Sequence, residues 1–296
     1  MRKYGKVFSL ALTCAAVPGG RSERSILMNI LVCIKEVPDQ VWSLPDPSDN
    51  TPKQDCTRYV INPFDRYALE AAARIKDSHP DTRIVALSIA PPYGEEALRE
   101  AVAVAADNAY LAADGDFDHS DALAVSYILS KAISAVEELE CYKFDAIFCG
   151  KQAIDSSGGQ VGPMLAELLD YPQVTCALEA VDADGTLHVL KEYELGCALI
   201  GVKTPCVITF TTSGLQPCQP TVQRKSFAGK AAIRLLTASD LTGLDLARVG
   251  LQGSPTQTTM VVPTPPARQS GAIIKEASGQ AAAEKLLALL SDAHIL

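Results

Sequence analysis

The chain has 296 residues, of which 48% are hydrophobic and 21% charged, enough to bury a full core in one or two domains. Its formal net charge of -9 argues against a nucleic-acid-binding surface, because phosphate contacts need Lys and Arg to replace released counterions. The four histidines lack ligand-like spacing, which argues against a zinc site. Nine cysteines without a C-x-x-C pair favour a reducing, cytoplasmic compartment.

The first 27 residues form a segment of their own. "MRKYGKVFSLALTCAAVPGG" has the basic start, short apolar stretch and small residues of a secretory signal. "MNILVCIKEVPD", beginning at Met28, is nevertheless typical of the first core strand of a cytoplasmic domain. We therefore interpret residues 1–27 as an N-terminal extension, disordered or upstream of the true start, and favour this over export. No apolar run reaches the roughly 18 residues that span a bilayer, so we expect no membrane insertion.

Short β-branched runs then alternate with segments of helical period. The pattern predicts strands at 29–34, 83–89, 109–113 and 145–149, and helices at 62–76, 93–106, 120–139 and 160–169. Such alternation predicts an α/β fold, a mostly parallel, doubly wound sheet with helices on both faces.

The pattern changes after residue 172. "QVTCALEAV" and "LHVLKEYEL" flank "DADG", which predicts an antiparallel hairpin at the sheet edge, and "PCVITF" at 205–210 predicts one more strand. We place the boundary of the α/β domain at 28–211. The polar, Pro-bearing remainder at 212–296, with a terminal helix near 279–293, predicts an extended arm that contacts a partner or a second domain.

The segment "GKQAIDSSGGQVGP" at 150–163 follows a predicted strand, where ligands bind in open parallel sheets. Pro163 fits only the first turn of a helix, so Ser156 to Gly159 form a loop. Two adjacent glycines and the free N–H groups of a helix N-terminus suit an anion such as phosphate. Alternatively, the glycines ease a turn and a serine caps the helix. We expect Asp155 to accept a hydrogen bond from a hydroxyl or an amide.

Two lysines and one helix start complete the candidate crevice. Lys35 and Lys151 each follow a strand end and suit an anionic ligand. In "NPFD", Asn62 is typical of an N-cap and Asp65 of the acid in a capping box, which by themselves indicate structure. No nucleophile–base pair and no G-x-S-x-G, G-x-x-x-x-G-K-[ST] or G-x-G-x-x-G motif is present, so the site is suited to holding a nucleotide, not to cleaving a bond.

Taken together, these segments resemble a known family. "NILVCIKEVPD", "VINPFDRYALEAAARIKD", "ALSIAPPYGEEALREAVAVAAD", "DAIFCGKQAID...QVGP" and "VKTPCVITF" resemble, in that order and spacing, the β subunit of electron transfer flavoproteins. "PPARQSG" at 265–271 resembles the segment before that family's C-terminal helix. The resemblance covers about residues 28–275.

The resemblance implies a heterodimer with an α subunit that carries FAD, and an adenine nucleotide in the crevice of the β subunit. That nucleotide is AMP in housekeeping members and a second FAD in bifurcating members, where it takes a hydride from NADH and sends its two electrons along separate paths. The implied contacts are Cys33, Asn62, Pro63, Phe64, Asp65, Ile89, Gly150, Lys151, Gln152, Ala153, Ile154, Asp155, Ser156, Ser157, Gly158, Gly159, Gln160 and Val161, with Asp121 and Ser126 at a diphosphate. An isoalloxazine would lie near "APPYGEE".

The sequence departs from the bifurcating pattern at several positions. Ala122 and Val125 stand where threonines are usual, Ser157 and Gly158 replace Asp-Thr, and Lys151 stands in place of Arg. We expect FAD, with AMP as the alternative. The usual docking loop is replaced by "GLQPCQPTVQRKSFAGKAA", which favours a specialised redox partner over the customary dehydrogenase.

Two functions from different classes remain at this point. The first is electron transfer between a donor, NADH or a dehydrogenase, and an acceptor, as one half of a flavoprotein. The second is a stand-alone adenine-nucleotide module that senses AMP or ATP. The arm after residue 211 favours the first, because a sensor does not need it.

Overall fold

The computed structural model describes residues 28–39, 59–92, 94–183, 185–212, 216–257 and 273–295. These residues belong to two compact units, a larger one that ends near residue 258 and a smaller one that contains 273–295. The predicted N-terminal extension at 1–27 and the "PPARQSG" segment lie outside the described residues.

The larger unit contains all the described strands and five of the helices. The strands are β1 (Asn29–Cys33), β2 (Glu36–Pro38), β3 (Tyr59–Ile61), β4 (Arg83–Ile89), β5 (Asn108–Ala112), β6 (Ala146–Gly150), β7 (Gln173–Ala183), β8 (Thr186–Tyr193), β9 (Gly196–Lys203), β10 (Cys206–Phe210) and β11 (Ile233–Leu236). The helices are α1 (Pro63–Ser78), α2 (Glu96–Val104), α3 (Ala122–Glu140), α4 (Val161–Leu169) and α5 (Val222–Ala228). Short 3-10 turns lie at Gly115–Phe117, Ala238–Asp240 and Leu246–Arg248.

Nine strands form one sheet in the order β11-β5-β4-β1-β6-β10-β7-β8-β9. Every pair from β11 to β7 is parallel, whereas β7, β8 and β9 pair antiparallel. The predicted fold, a mostly parallel sheet with an antiparallel hairpin at one edge, is therefore confirmed. β2 and β3 form a separate two-stranded ribbon.

The sheet buries both of its faces, as its strand pattern requires. Along β1, Ile30 and Val32 join the cluster under α1, α2 and Ala228 of α5, whereas Leu31 and Cys33 join the cluster under α3 and α4. This alternation follows from the two-residue period of a strand. Helices on both faces are the arrangement expected of a doubly wound sheet.

Part of the predicted arm belongs to the larger unit. β11 pairs in parallel with β5 and thereby forms the outer edge of the sheet, and Leu236, Leu241 and Val249 are buried against the cluster that contains α3. α5 begins at the N-cap Thr221, whose side chain accepts a hydrogen bond from Arg224 N. The 3-10 turns and β11 thus give residues 221–254 defined structure.

At the opposite edge of the sheet, β9 pairs with β8, and no other described strand pairs with β9. Its residues are mostly exposed, and its apolar Leu199 has 61% of its surface accessible. In the turn before it, Leu195 is 99% exposed.

The smaller unit is described through one helix, α6 (Gly279–Asp292). Its N-cap is Ser278, which accepts from Ala281 N, and Lys285 pairs with Glu276 at 2.6 Å. The helix lies where the sequence predicts a terminal helix. Three of its four leucines, Leu286, Leu287 and Leu289, are exposed, and Leu290 is half-buried.

Candidate functional site

The order of the strands places a crevice between β1 and β6. The chain runs outward from β1 through β4 to β5, and then returns to form β6 on the other side of β1. In open α/β sheets, ligands bind at such a switch point, beyond the carboxyl ends of the strands. The residues after β1 and β6 include Lys35 and the loop from Lys151 to Gln160, which the sequence predicts to form the site.

A buried carboxylate, Asp65, ties the segments around this crevice together. Its Oδ2 accepts from Lys35 N at 2.7 Å, and its Oδ1 accepts from Gly150 N at 3.1 Å and from Asn62 Nδ2 at 2.9 Å. The three donors belong to the segment after β1, the end of β6 and the start of α1. Asp65 therefore fixes the distance between the two strand ends that flank the crevice.

Burial dominates the ionisation of Asp65. Loss of solvent raises the pKa of this carboxyl to about 7, although hydrogen bonds from Asn62, Lys35 and Gly150 and the charge of Lys35 act in the opposite direction. The N-terminus of α1 also favours a negative charge at this position. Asp65 is thus a carboxyl group that changes protonation near neutral pH.

Asn62 is the N-cap of α1, as predicted, and Pro63 follows it in the first turn. The predicted capping box is wrong, because neither Asn62 nor Asp65 makes the side-chain capping bond. Asn62 Nδ2 instead donates to Gln152 O at 2.8 Å, and its Oδ1 accepts from Ile154 N at 3.3 Å. The "NPFD" segment therefore binds the 150–154 loop, a contact that is 90 residues away in sequence.

Two glycines permit close packing around the loop. A Cβ atom on Gly150 would lie 2.1 Å from Asp65 Oδ1, and one on Gly162 would lie 2.3 Å from the Cγ2 atom of Thr209 on β10. A side chain at either position would displace its neighbour. Gly158, in contrast, has no other heavy atom within 4 Å of its Cβ position.

The loop from Asp155 to Gln160 is exposed. Ser157 and Gly159 adopt φ angles of 53° and 63°, and Ser157 N closes a turn onto Ala153 O at 2.7 Å. The amide N–H groups from Gly158 to Gly162 make no hydrogen bond to any other described residue. They run into the first turn of α4, where the helix dipole adds positive potential. This part of the loop has the chemistry of an anion site.

The two predicted cations differ in their contacts. Lys35 Nζ contacts both carboxylate oxygens of Asp155 at 2.8 Å. Asp155 therefore accepts from an ammonium group, and acceptance from a hydroxyl or an amide of a ligand stays a prediction. Within the described part of the chain, Lys151 makes no ion pair, and its backbone N–H donates to Phe210 O at 2.7 Å.

Asp121 and Ser126, implied by the resemblance to meet a diphosphate, both bond to the protein. Asp121 caps α3 through Leu123 N and Ala124 N, and its second oxygen accepts from Thr256 N at 3.0 Å. The buried Ser126 hydroxyl donates to Ala122 O at 2.6 Å and lies 3.2 Å from Val161 O. Ser126 thus connects the first turns of α3 and α4.

The remaining implied contacts lie around the same strand ends. Cys33 is buried beside Cys149 on the neighbouring strand, and the hydrogen bond between the two thiols, together with burial, raises the pKa of Cys33 well above its usual value. Ile89 ends β4 and is half-buried, Phe64 is half-buried and Pro63 is exposed. Tyr93 of "APPYGEE" lies outside the described residues.

Sequence reasoning missed two carboxylates that organise neighbouring elements. Glu36 on β2 accepts from the backbone of Ala97 in the first turn of α2, which lacks a cap of its own, and its pKa is raised by burial. Glu70, buried on α1, accepts from Cys218 N at 2.8 Å and so fixes the segment before α5. The only signal for Glu70 was an acid on the otherwise apolar face of α1.

Among the described residues, no helix is both long enough and apolar enough to cross a bilayer. The same residues include no group of three or more His, Cys, Asp and Glu that could hold a metal ion.

A doubly wound sheet with an open, amide-lined loop at its switch point defines an α/β protein of the ligand-binding type. Comparison with known proteins narrows this class. The family model described as "Electron transfer flavoprotein domain" matches residues 55–241.

Individual relatives cover most of the chain. An electron transfer flavoprotein subunit beta of Megasphaera elsdenii is 38% identical over 84% of this chain and 92% of its own length. One from Thermoanaerobacterium thermosaccharolyticum is 38% identical over 91% of this chain and all of its own length. The caffeyl-CoA reductase-Etf complex subunit CarD of Acetobacterium woodii is 34% identical, again over 91% and all of its length.

The chain belongs to the electron transfer flavoprotein family, and within it to the β subunits. Its function is electron transfer as such a subunit. The predicted resemblance is therefore confirmed, and the comparisons give no support to a stand-alone nucleotide sensor.

Proposed function

We propose that this chain holds FAD in the crevice between β1 and β6 and works as a heterodimer with an FAD-binding α subunit. The observation that carries the proposal is the run of amide N–H groups from Gly158 to Gly162, which have no hydrogen-bond partner in the described part of the chain and lie at the switch point of the sheet. Backbone N–H groups at a helix N-terminus bind phosphate without requiring a basic surface. This explains how a chain with a net charge of -9 binds an anionic cofactor.

The polar residues of the crevice have distinct tasks in this proposal. Gly158 to Gly162 donate to the phosphates, and Lys151 supplies a positive charge beside them. Lys35 shares its charge between Asp155 and the ligand. Asn62 and Asp65 hold the loop in place through their hydrogen bonds to it. Ser126 connects α3 and α4 where the diphosphate would lie. The bound flavin supplies the redox chemistry, because it accepts a hydride or electrons and passes them on.

Crevice residues also bear on the choice between FAD and AMP. Ala122 and Val125 provide no hydroxyl at the start of α3, so the diphosphate of FAD depends on backbone N–H groups and on Ser156 and Ser157. Both serines are exposed. Their accessibility to a diphosphate supports FAD. Counting the bound flavins distinguishes FAD from AMP.

The partners follow from the family and from the exposed C-terminal residues. Residues 212–296 contact the α subunit, and the exposed leucines of α6 are the part best suited to this task. A dehydrogenase or another redox enzyme exchanges electrons with the heterodimer. Relatives that are named subunits of caffeyl-CoA and acryloyl-CoA reductase complexes support a partner of this type. The seven described cysteines are free thiols, which supports a cytoplasmic location.

Counting flavins tests the proposal. The chain is produced together with its α subunit, and the flavin released by denaturation is measured by absorbance against protein concentration. Two FAD per heterodimer support the proposal, and oxidation of NADH by that species would support bifurcation. One FAD with one AMP released shows the alternative cofactor. A heterodimer with one FAD and no second nucleotide overturns the proposed site.

A further inference from the structure

We propose that Asp65 is a positioning residue that holds the nucleotide loop in its binding geometry only while its carboxyl group is ionised, so that nucleotide affinity falls when this group takes up a proton. This inference rests on the nucleotide site proposed above. It gives Asp65, which the family resemblance implies as a nucleotide contact, a role that acts through the loop.

Three donors converge on the two oxygens of Asp65. Lys35 N lies 2.7 Å from Oδ2, and Asn62 Nδ2 and Gly150 N lie 2.9 Å and 3.1 Å from Oδ1. An ionised carboxylate is acceptor-only and satisfies all three. A protonated carboxyl group carries an O–H donor on one oxygen, and that oxygen, no longer charged, is a weaker acceptor for the N–H group that faces it.

The location of Asp65 separates positioning from direct binding. Asp65 is only 5% exposed, and each of its carboxylate oxygens already accepts a hydrogen bond from the protein. The donors on these oxygens are Lys35, Asn62 and Gly150, whereas the amide groups proposed to bind phosphate are those of Gly158 to Gly162. The effect of Asp65 on the ligand passes through Gly150, where the loop begins, and through Asn62, which holds Gln152 and Ile154.

Several titratable and charged groups surround Asp65. From the β1 side it faces the Cys33 thiol and the positive charge of Lys35, with Asp155 beyond the lysine and Cys149 of β6 beyond Cys33. The Cys149 hydrogen bond and burial raise the pKa of Cys33, so this thiol keeps its proton. Burial raises the pKa of Asp65 to about 7, so it gains a proton as the pH falls below that value.

Binding calorimetry with FAD tests the inference. The full-length chain, produced with its α subunit and stripped of nucleotide, is titrated between pH 5.5 and 8.5 in two buffers of different ionisation enthalpy. FAD is the probe because its diphosphate does not take up protons in this range. We expect the affinity of the β-subunit site to fall by up to about tenfold for each pH unit below the pKa of Asp65. Near pH 6, binding should release close to one proton.

Two variants locate the effect. Asp65→Asn should bind FAD more weakly and lose both the pH dependence and the proton release, because its amide cannot accept from all three donors and does not titrate. Glu192→Gln on β8 makes the same change of charge at an exposed carboxylate outside the crevice. It should retain both the pH dependence and the proton release. A role limited to stability would lower affinity in Asp65→Asn but give the wild type no proton release.

Each outcome has a separate meaning. If the wild type binds neither FAD nor AMP in the β subunit at pH 8.5, the proposed nucleotide site is overturned. If it binds FAD tightly with no pH dependence and no proton release, the site stands and the role of Asp65 is overturned. Asp65→Asn with the wild-type pH profile also overturns that role. Should circular dichroism show that Asp65→Asn does not fold, proton release by the wild type decides alone.

Discussion

Replacing Gly150 by alanine is expected to destabilise the protein by about 2–5 kcal/mol, from overpacking and from the loss of buried hydrogen bonds. The new Cβ atom would lie 2.1 Å from Asp65 Oδ1 and 2.9 Å from both Asp65 N and the carbonyl carbon of Phe64. Two of these three atoms are backbone, so the start of α1 must move away from β6. That movement separates Asp65 from Gly150 N or from Lys35 N, and a buried N–H group without an acceptor adds to the cost.

Urea unfolding of the nucleotide-free chain, followed by circular dichroism, measures this loss. With an m value of about 3 kcal/mol/M, a loss near 3 kcal/mol lowers the unfolding midpoint by about 1 M. Gly150→Ala should also bind nucleotide more weakly, because the loop begins at this residue.

Gly158→Ala is the matched control for stability, since it adds the same methyl group to the same loop. No other heavy atom lies within 4 Å of its Cβ position, and its φ angle is not in the left-handed region. Its stability should be unchanged or higher by about 0.4–1 kcal/mol, because alanine restricts the unfolded chain. A Gly150→Ala midpoint equal to that of the wild type would refute the claim that Asp65 and Gly150 are in close contact.

Further variants test the ion pair, the buried carboxyl and the segment before α5. Lys35→Gln should change stability by less than about 1 kcal/mol, because its ion pair with Asp155 is partly exposed. It should nevertheless weaken nucleotide binding in a fluorescence titration. A large loss of stability would contradict this prediction. Because the pKa of Asp65 is raised in the folded state, its ionisation costs stability. The unfolding free energy should therefore fall as the pH rises from 4 to 7 in the wild type, and should fall less in Asp65→Asn. Equal slopes of unfolding free energy against pH, measured by urea titration, would refute the assignment. Glu70→Ala should speed hydrogen exchange at the Cys218 amide, and an unchanged rate would show that their 2.8 Å bond contributes nothing.

Much of the fold is visible in local patterns. The central strands β1, β4 and β6 are apolar on both faces, and the helices between them have apolar stripes. Continuous apolar runs therefore indicate the strands, and the helical period of apolar residues indicates the helices. The hairpin at "DADG" was predicted from its turn residues, and Gly185 adopts the expected positive φ of 77°. These features are local, because each one is decided within about ten residues.

The missed elements lack such patterns. β11 is only four residues long and buries one of them, so "IRLL" shows neither alternation nor an apolar run. β9 is mostly exposed and contains two glycines, which lower its apparent strand propensity. The three-residue strands β2 and β3 pair across a gap of twenty residues, and neither would be assigned alone.

The site divides in the same way. The glycine-serine loop and Lys35 could be found from their positions after strands, because the ends of parallel strands meet at one edge. The partners of Asn62 and Asp65 could not, since Gly150 and Gln152 are 85 and 90 residues away in sequence. An N-cap pattern explained "NPFD" locally, so nothing in the sequence required a second role.

The free side of β9 has a practical consequence for anyone who produces this chain by itself. No other described strand pairs with its backbone N–H and C=O groups on that side, and Leu195 and Leu199 beside them are exposed. Unprotected strands of this kind recruit other strands, and the most abundant ones in a purified sample are those of identical molecules. Yield and solubility should therefore improve when the subunit is synthesised alongside a protein that covers this margin, whatever nucleotide the crevice contains.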